Sequence, residues 1–146
     1  MYVQCQLETA TPAAVAIIAA LDDANVAGTN LLGFWRSNAI ISAAGDIVVA
    51  YCSDVDSGEY TQELGTNLAA GGAVNKFAVA AIDNSFNAAL NGVAGSDDTS
   101  GNYAGENFTR FSIGSTNADR FATGLFKQVV VIPRRLTNAQ LATLTT

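Results

Sequence analysis

Histidine is absent from this 146-residue chain, and charge is scarce, with seven lysines and arginines against thirteen aspartates and glutamates. Without an imidazole, a hydrolase triad that uses histidine as its base is excluded. A net charge of −6, with so few basic residues spread along the chain, supplies no cationic patch. Duplex nucleic acid and anionic membrane surfaces are therefore poor partners, because both are held by clustered lysine and arginine. The only two cysteines, Cys5 and Cys52, each sit in an alternating apolar segment where a small hydrophobe fits, so core thiols are expected. A disulfide would need adjacent strands with suitable Cβ vectors, which a sequence does not display. A zinc site built from two cysteines without histidine does not follow either.

Long apolar runs are missing as well. The longest, residues 13–21, is less than half of the roughly 20 residues that a bilayer-spanning helix requires. The N-terminal MYVQCQLE has neither the basic start nor the apolar core of a secretory signal, so any exit from the cell is expected by another route such as lysis. What the chain does have is apolar residues, 49% of the total, enough to bury the core of one domain without staples.

Short alternating segments separated by Gly, Asn, Asp and Ser recur along the chain, the pattern of an antiparallel sandwich or barrel. In YVQCQLE, Val3, Cys5 and Leu7 share one face and the polar residues the other, which is a half-buried strand. Further strands are expected at 30–36, 46–53, 59–64, 75–82, 86–90, 109–114 and 125–132. The segment TPAAVAIIAALDD carries two signals. Thr11 as a cap, Pro12 at the first helical position and a run of alanines suit a helix. A nine-residue apolar run bounded by turn residues equally suits a buried strand, and the neighbouring strands favour that reading. Asn91-Gly92 suits a type I′ hairpin turn, and the polar, glycine-rich stretch 94–107 reads as a long surface loop.

The C-terminal FKQVVVIPRRLTNAQLATLTT has its own logic. Val129, Val130, Val131 and Ile132 put apolar side chains on both faces of one strand, so that strand is covered twice or lies at an interface. Pro133 ends the ladder because it has no N–H to donate. Thr137 and Gln140 form a Thr-x-x-Gln capping box for a helix over about 138–144, which Leu136, Leu141 and Leu144 can dock. These features make Val130 and Ile132, together with Trp35 in LLGFWRS, the candidate interface residues.

FNAALNG at 86–92, RFSIGS at 110–115 and GLFKQVVVIPRRLTNAQLATL at 124–144 resemble the C-terminal half of concanavalin A-like, laminin-G-type jelly-roll domains. The ending Pro-Arg-Arg-Leu-Thr-x-x-Gln-Leu is most similar to versions carried by tailed-bacteriophage virion proteins. The likeness is specific in order and spacing over 76–144 and only compatible over 1–75. It implies an all-β antiparallel β-sandwich with a short C-terminal α-helix, and a strand at 13–21. Relatives often carry an earlier strand, so the chain is either a minimal domain or the end of a longer fibre polypeptide.

The resemblance also implies a function: a non-enzymatic structural protein of a phage particle, in a fibre, tail or capsid-surface position, packing against other copies and other virion proteins. The alternative is a lectin-like domain for host surface glycans, for which Asn102, Tyr103, Asn107 and Arg120 are the candidate contacts. Glucanase relatives use a Glu-x-Asp-x-Glu or Glu-x-Asp-x-x-Glu strand. The nearest echo is Glu59-Tyr60-Thr61-Gln62-Glu63, with threonine in place of the aspartate and Cα atoms roughly 13 Å apart in a regular strand. A retaining pair needs carboxyls about 5 Å apart, so no enzyme is expected. No cofactor is expected. SDVDSGE at 53–59 has its glycine misplaced for a calcium loop, and Gly65 stands where the closing glutamate belongs. Asp22-Asp23 and Asp97-Asp98 are the loop pairs that could contribute to a bound calcium.

Overall fold

A computed structural model describes residues 1–7, 16–23, 31–37, 47–54, 58–65, 73–99, 108–115 and 121–146. Ten strands and one helix appear among them: β1 (Tyr2–Leu7), β2 (Ala16–Asp22), β3 (Leu31–Ser37), β4 (Ile47–Asp54), β5 (Gly58–Gly65), β6 (Asn75–Ile82), β7 (Ser85–Leu90), β8 (Val93–Ala94), β9 (Arg110–Ile113), β10 (Gly124–Val130) and α1 (Asn138–Leu144). They form two five-stranded sheets, ordered β10-β1-β6-β7-β8 and β5-β4-β3-β2-β9. All strand pairings are antiparallel. The protein is an all-β sandwich with one short C-terminal helix.

Alternation builds the core. Val3, Cys5 and Leu7 of β1, Phe77 and Val79 of β6, and Phe86, Ala88 and Leu90 of β7 meet Ile18, Leu32, Phe34, Ala50 and Cys52 from the other sheet. The Phe34 and Phe77 rings, centroids 5.6 Å apart and tilted by 40°, join the two layers near their middles. Cys5 and Cys52 are both buried free thiols, one from each sheet.

The ambiguous segment is a strand, β2, and a bulge explains why its pattern looked helical. The register against β3 shifts between Ile17 and Ala19. Ile18 and Ala19 therefore both enter the inter-sheet core, while Ile17 and Ala20 lie on the opposite face with Leu31 and Tyr51. Both faces are buried, so an uninterrupted apolar run is what the position demands. Gly33 lets β3 approach this bulge, since a Cβ there would stand 2.5 Å from the Ala19 carbonyl oxygen.

Two further expectations change at the C-terminal end. The last strand stops at Val130, so Val131 and Ile132 lie outside it. At its end, around Val130, the second face of β10 is covered from within the chain, whereas Leu125 further back is exposed. Val130, Ile132 and Leu144 pack around Tyr2, Ala78, Ala80, Ala89, Leu136 and Leu141 on the outer surface of the sheet. Alanines at 78, 80 and 89 leave the shallow trough in which α1 lies. The capping box is formed, with Thr137 Oγ1 accepting from the Gln140 N–H at 3.3 Å and Gln140 Oε1 accepting from the Thr137 N–H at 2.9 Å. At the β7–β8 turn both Asn91 (φ 47°) and Gly92 (φ 86°) occupy the left-handed region, as a type I′ hairpin requires. β8 and the return of residues 95–99 occupy the start of the expected long loop, and residues 100–107 lie outside the described residues.

Candidate functional site

Among the described residues the two sheets end on the same side in β9 and β10, and four of the seven exposed large apolar residues lie there. Register places Phe111 opposite Leu21 and Ile113 opposite Ala19, so both sit on the inner face of their sheet. They are nevertheless 41% and 48% exposed, because β9 is the edge strand and the inter-sheet gap opens there. Phe121, bridged to Ile17, and Leu125, opposite Gln6 on β1, are each 67% exposed. The two edges are in contact range, since Phe126 of β10 lies 3.8 Å from where a Gly114 Cβ would stand. Leu125 shares the outer face of its sheet with Gln6, whereas Phe111 and Ile113 face the gap, so exposed apolar side chains flank this side of the fold on more than one face, and exposed apolar surface marks interaction sites. Periodicity cannot reveal such a seam, because it assigns Phe111 and Ile113 to the core face without saying where the sheet ends.

On the outer face of the second sheet, Trp35 stacks on Tyr51 with centroids 4.1 Å apart and planes 18° apart. Tyr51 is only 5% exposed and Trp35 is half-buried against Ile17, Ala20 and Leu31, so this pair is a packed cluster and not an open aromatic platform. Register puts Glu63 opposite Val49, Thr61 opposite Tyr51 and Glu59 opposite Ser53 on the edge strand β5. The side chains of these β5 residues lie outside the described ones. Asp22 closes the other end of this face. It is buried, with one carboxylate oxygen accepting from Arg110 Nε at 2.7 Å and the other from Ser112 Oγ at 3.3 Å.

Asp97 holds the N-terminus of α1 against the β7–β8 edge. Its carboxylate accepts from Asn138 Nδ2 at 2.8 and 2.7 Å and from Asn87 Nδ2 at 2.9 Å, with the Arg135 guanidinium 3.8 Å away. Hydrogen bonds from Asn138 and Asn87 hold its pKa below the ordinary carboxylate value. Amide donors and an arginine engage the Asp97 oxygens, and an arginine and a hydroxyl engage those of Asp22, so these members of the two aspartate pairs are committed to internal partners. Asp98 forms an isolated backbone bridge with Phe86.

Among the residues singled out from the sequence, Val130 and Ile132 pack beneath α1 and Trp35 packs on Tyr51. The chain's own helix covers Val130 and Ile132, the internal-cover alternative for those two residues. Asn102, Tyr103, Asn107 and Arg120 lie outside the described residues. No helix among the described residues is long and apolar enough to cross a membrane. No family model, curated protein or solved structure matches the chain.

Proposed function

We propose that this sandwich is a non-enzymatic structural module of a bacteriophage particle, in a fibre, tail or capsid-surface position. It joins a second copy of itself along the β9 and β10 edges. The observation that carries the reading is the group of exposed apolar residues Phe111, Ile113, Phe121 and Leu125 around β9 and β10, each the last strand of its sheet among the described residues. Burying these residues against the same residues on another copy removes apolar surface from water on both sides. The phage assignment rests on the resemblance of residues 76–144 to virion jelly rolls.

Two measurements test it. Sedimentation of the purified chain is expected to show reversible association that the pair Phe121→Asp and Leu125→Lys abolishes. A strict monomer at all concentrations, or association unchanged in the variant, overturns the edge as the contact. The chain is also expected among the proteins of purified particles and in the density map of an intact virion, and its absence there overturns the virion assignment. Saturable binding on a glycan array by a chain missing from the assembled shaft or shell would favour the lectin-like alternative.

A further inference from the structure

One end of the sandwich contains an apolar cleft of about 320 Å³, within the size range of small-ligand sites. Its walls come from both sheets, through Leu21, Leu32 and Val79, and from the segment 131–136 that crosses the end of the fold towards Leu144. Ile82 and Val131 at the cleft are large apolar residues left about half exposed, at 51% and 47%.

Charge distinguishes the cleft from an ordinary packing defect. No acidic residue lines it among the described residues, although the chain carries a net charge of −6. Arg134 and Arg135 both line it. Arg134 is exposed, and among the described residues no hydrogen bond or ion pair engages its side chain. Arg135 is only 14% exposed. Its Nη2 donates to Ser85 Oγ and Asn138 Oδ1 and lies 3.8 Å from the Asp97 carboxylate, while its buried Nε has no acceptor among the described residues. Two guanidinium groups at one apolar cleft, that of Arg134 unpaired among the described residues, suit a carboxylate, which can accept from more than one N–H.

We propose that this cleft binds a fatty-acid-like amphiphile, with its aliphatic chain among Leu21, Leu32, Val79 and Leu144 and its carboxylate at Arg134 and Arg135. The apolar walls supply affinity without direction, and the arginines set the sign of the head group that is accepted.

Titration calorimetry with decanoate below its micelle concentration tests the site, with decyltrimethylammonium and 1-decanol as chains of the same length and different head charge. Saturable one-site binding of decanoate is expected, with the other two weaker by about tenfold or more, the factor that corresponds to ~1.4 kcal/mol. Arg134→Glu is expected to weaken decanoate by a similar factor and to leave decanol unchanged. Because Arg134 is exposed, circular dichroism of this variant should match the parent. Methyl-labelled NMR is expected to place the ligand-induced shifts at Leu21, Leu32, Val79 and Leu144. Absence of saturable binding, equal binding of anionic and cationic chains, or shifts centred on Ile113 and Leu125 instead would overturn the proposal.

Discussion

Replacing Leu141 by alanine measures how firmly the C-terminal helix is held to the sandwich. Leu141 is 1% exposed and sits in the cluster with Tyr2, Ala78, Ala80, Ala89 and Leu136. The substitution removes three carbon atoms, a transfer loss of about 2.4 kcal/mol at ~0.8 kcal/mol each. The trough beneath it is lined by alanines, whose Cβ atoms move only with the backbone, so the cavity cannot close by rotamer changes. The total therefore falls in the middle of the range known for buried leucines, about 3.5 kcal/mol. For a domain of this length the unfolding entropy is about 0.3 kcal/mol/K, so the melting temperature is expected to drop by about 10 °C. Thr137→Ala, which opens the capping box without touching the trough, serves as the smaller reference at ~1 kcal/mol or about 3 °C. The assay is thermal unfolding followed by circular dichroism, with hydrogen exchange at the amides of α1 and β6. A loss for Leu141→Ala no larger than that of the cap variant would refute the reasoning, since the helix would then be a frayed appendage and the outer face of β10 would need another cover.

Three other expectations follow from single features. Gly33→Ala drives a Cβ to 2.5 Å from the Ala19 carbonyl oxygen and 3.0 Å from the Ala20 Cβ, so chemical denaturation should show a loss of about 3 kcal/mol. Parent-like stability would mean that the β2 bulge does not face Gly33. Burial lowers the Met1 α-ammonium from 8.0 to about 6 while it donates to the Val79 carbonyl at 2.7 Å. The unfolded chain then holds more protons than the folded one between those values, so stability should rise as pH goes from 6 to 8, and with no histidine to titrate there, a flat profile would contradict the burial of Met1. Cys5 and Cys52 are buried, and burial pushes the Cys5 thiol up to about 12, so Ellman's reagent should label neither until denaturant is added; rapid labelling of the native protein would refute the core placement.

Strand positions and core faces were legible where one face is wet and the other dry, whereas the order of strands within the sheets was not. Val3, Cys5 and Leu7 alternate because the outer face of β1 carries Gln4 and Gln6, and the pattern passed straight into structure. Legibility failed where both faces are dry. In β2 the alternation is hidden by burial on two sides and by the bulge at Ile18, so helix and strand signals coincided. Around Val130 the apolar pattern left two readings, internal cover or an interface, and α1, only eight residues further along, supplies cover at Val130 and Ile132. The capping box and Leu136, Leu141 and Leu144 announced a docked helix, but not the face on which it lies. The Asp97 clamp was invisible for another reason: Asn87, Asp97, Arg135 and Asn138 are ordinary polar residues whose convergence depends on three separate elements.

The same irregularities that obscured the pattern shape the surface on which the proposed assembly depends. One bulge interrupts β1 against β10 between Gln4 and Cys5, and another lies in β2, the strand beside β9, while a third register shift falls between Val48 and Val49 on the far side of the second sheet. Each sheet thus carries a bulge within one strand of the β9–β10 side. Bulges bend a strand and increase its local twist. Two of them lie on the side where Phe111 and Ile113 are left half covered. A long flat edge with those side chains would template open-ended pairing. β9 has only four residues, and a short, twisted edge can accept one matching partner across a two-fold axis far more readily than it can continue a sheet. The seam is therefore apolar enough to drive association and irregular enough to close it, so under the proposed assembly the contact should give discrete pairs and not fibres.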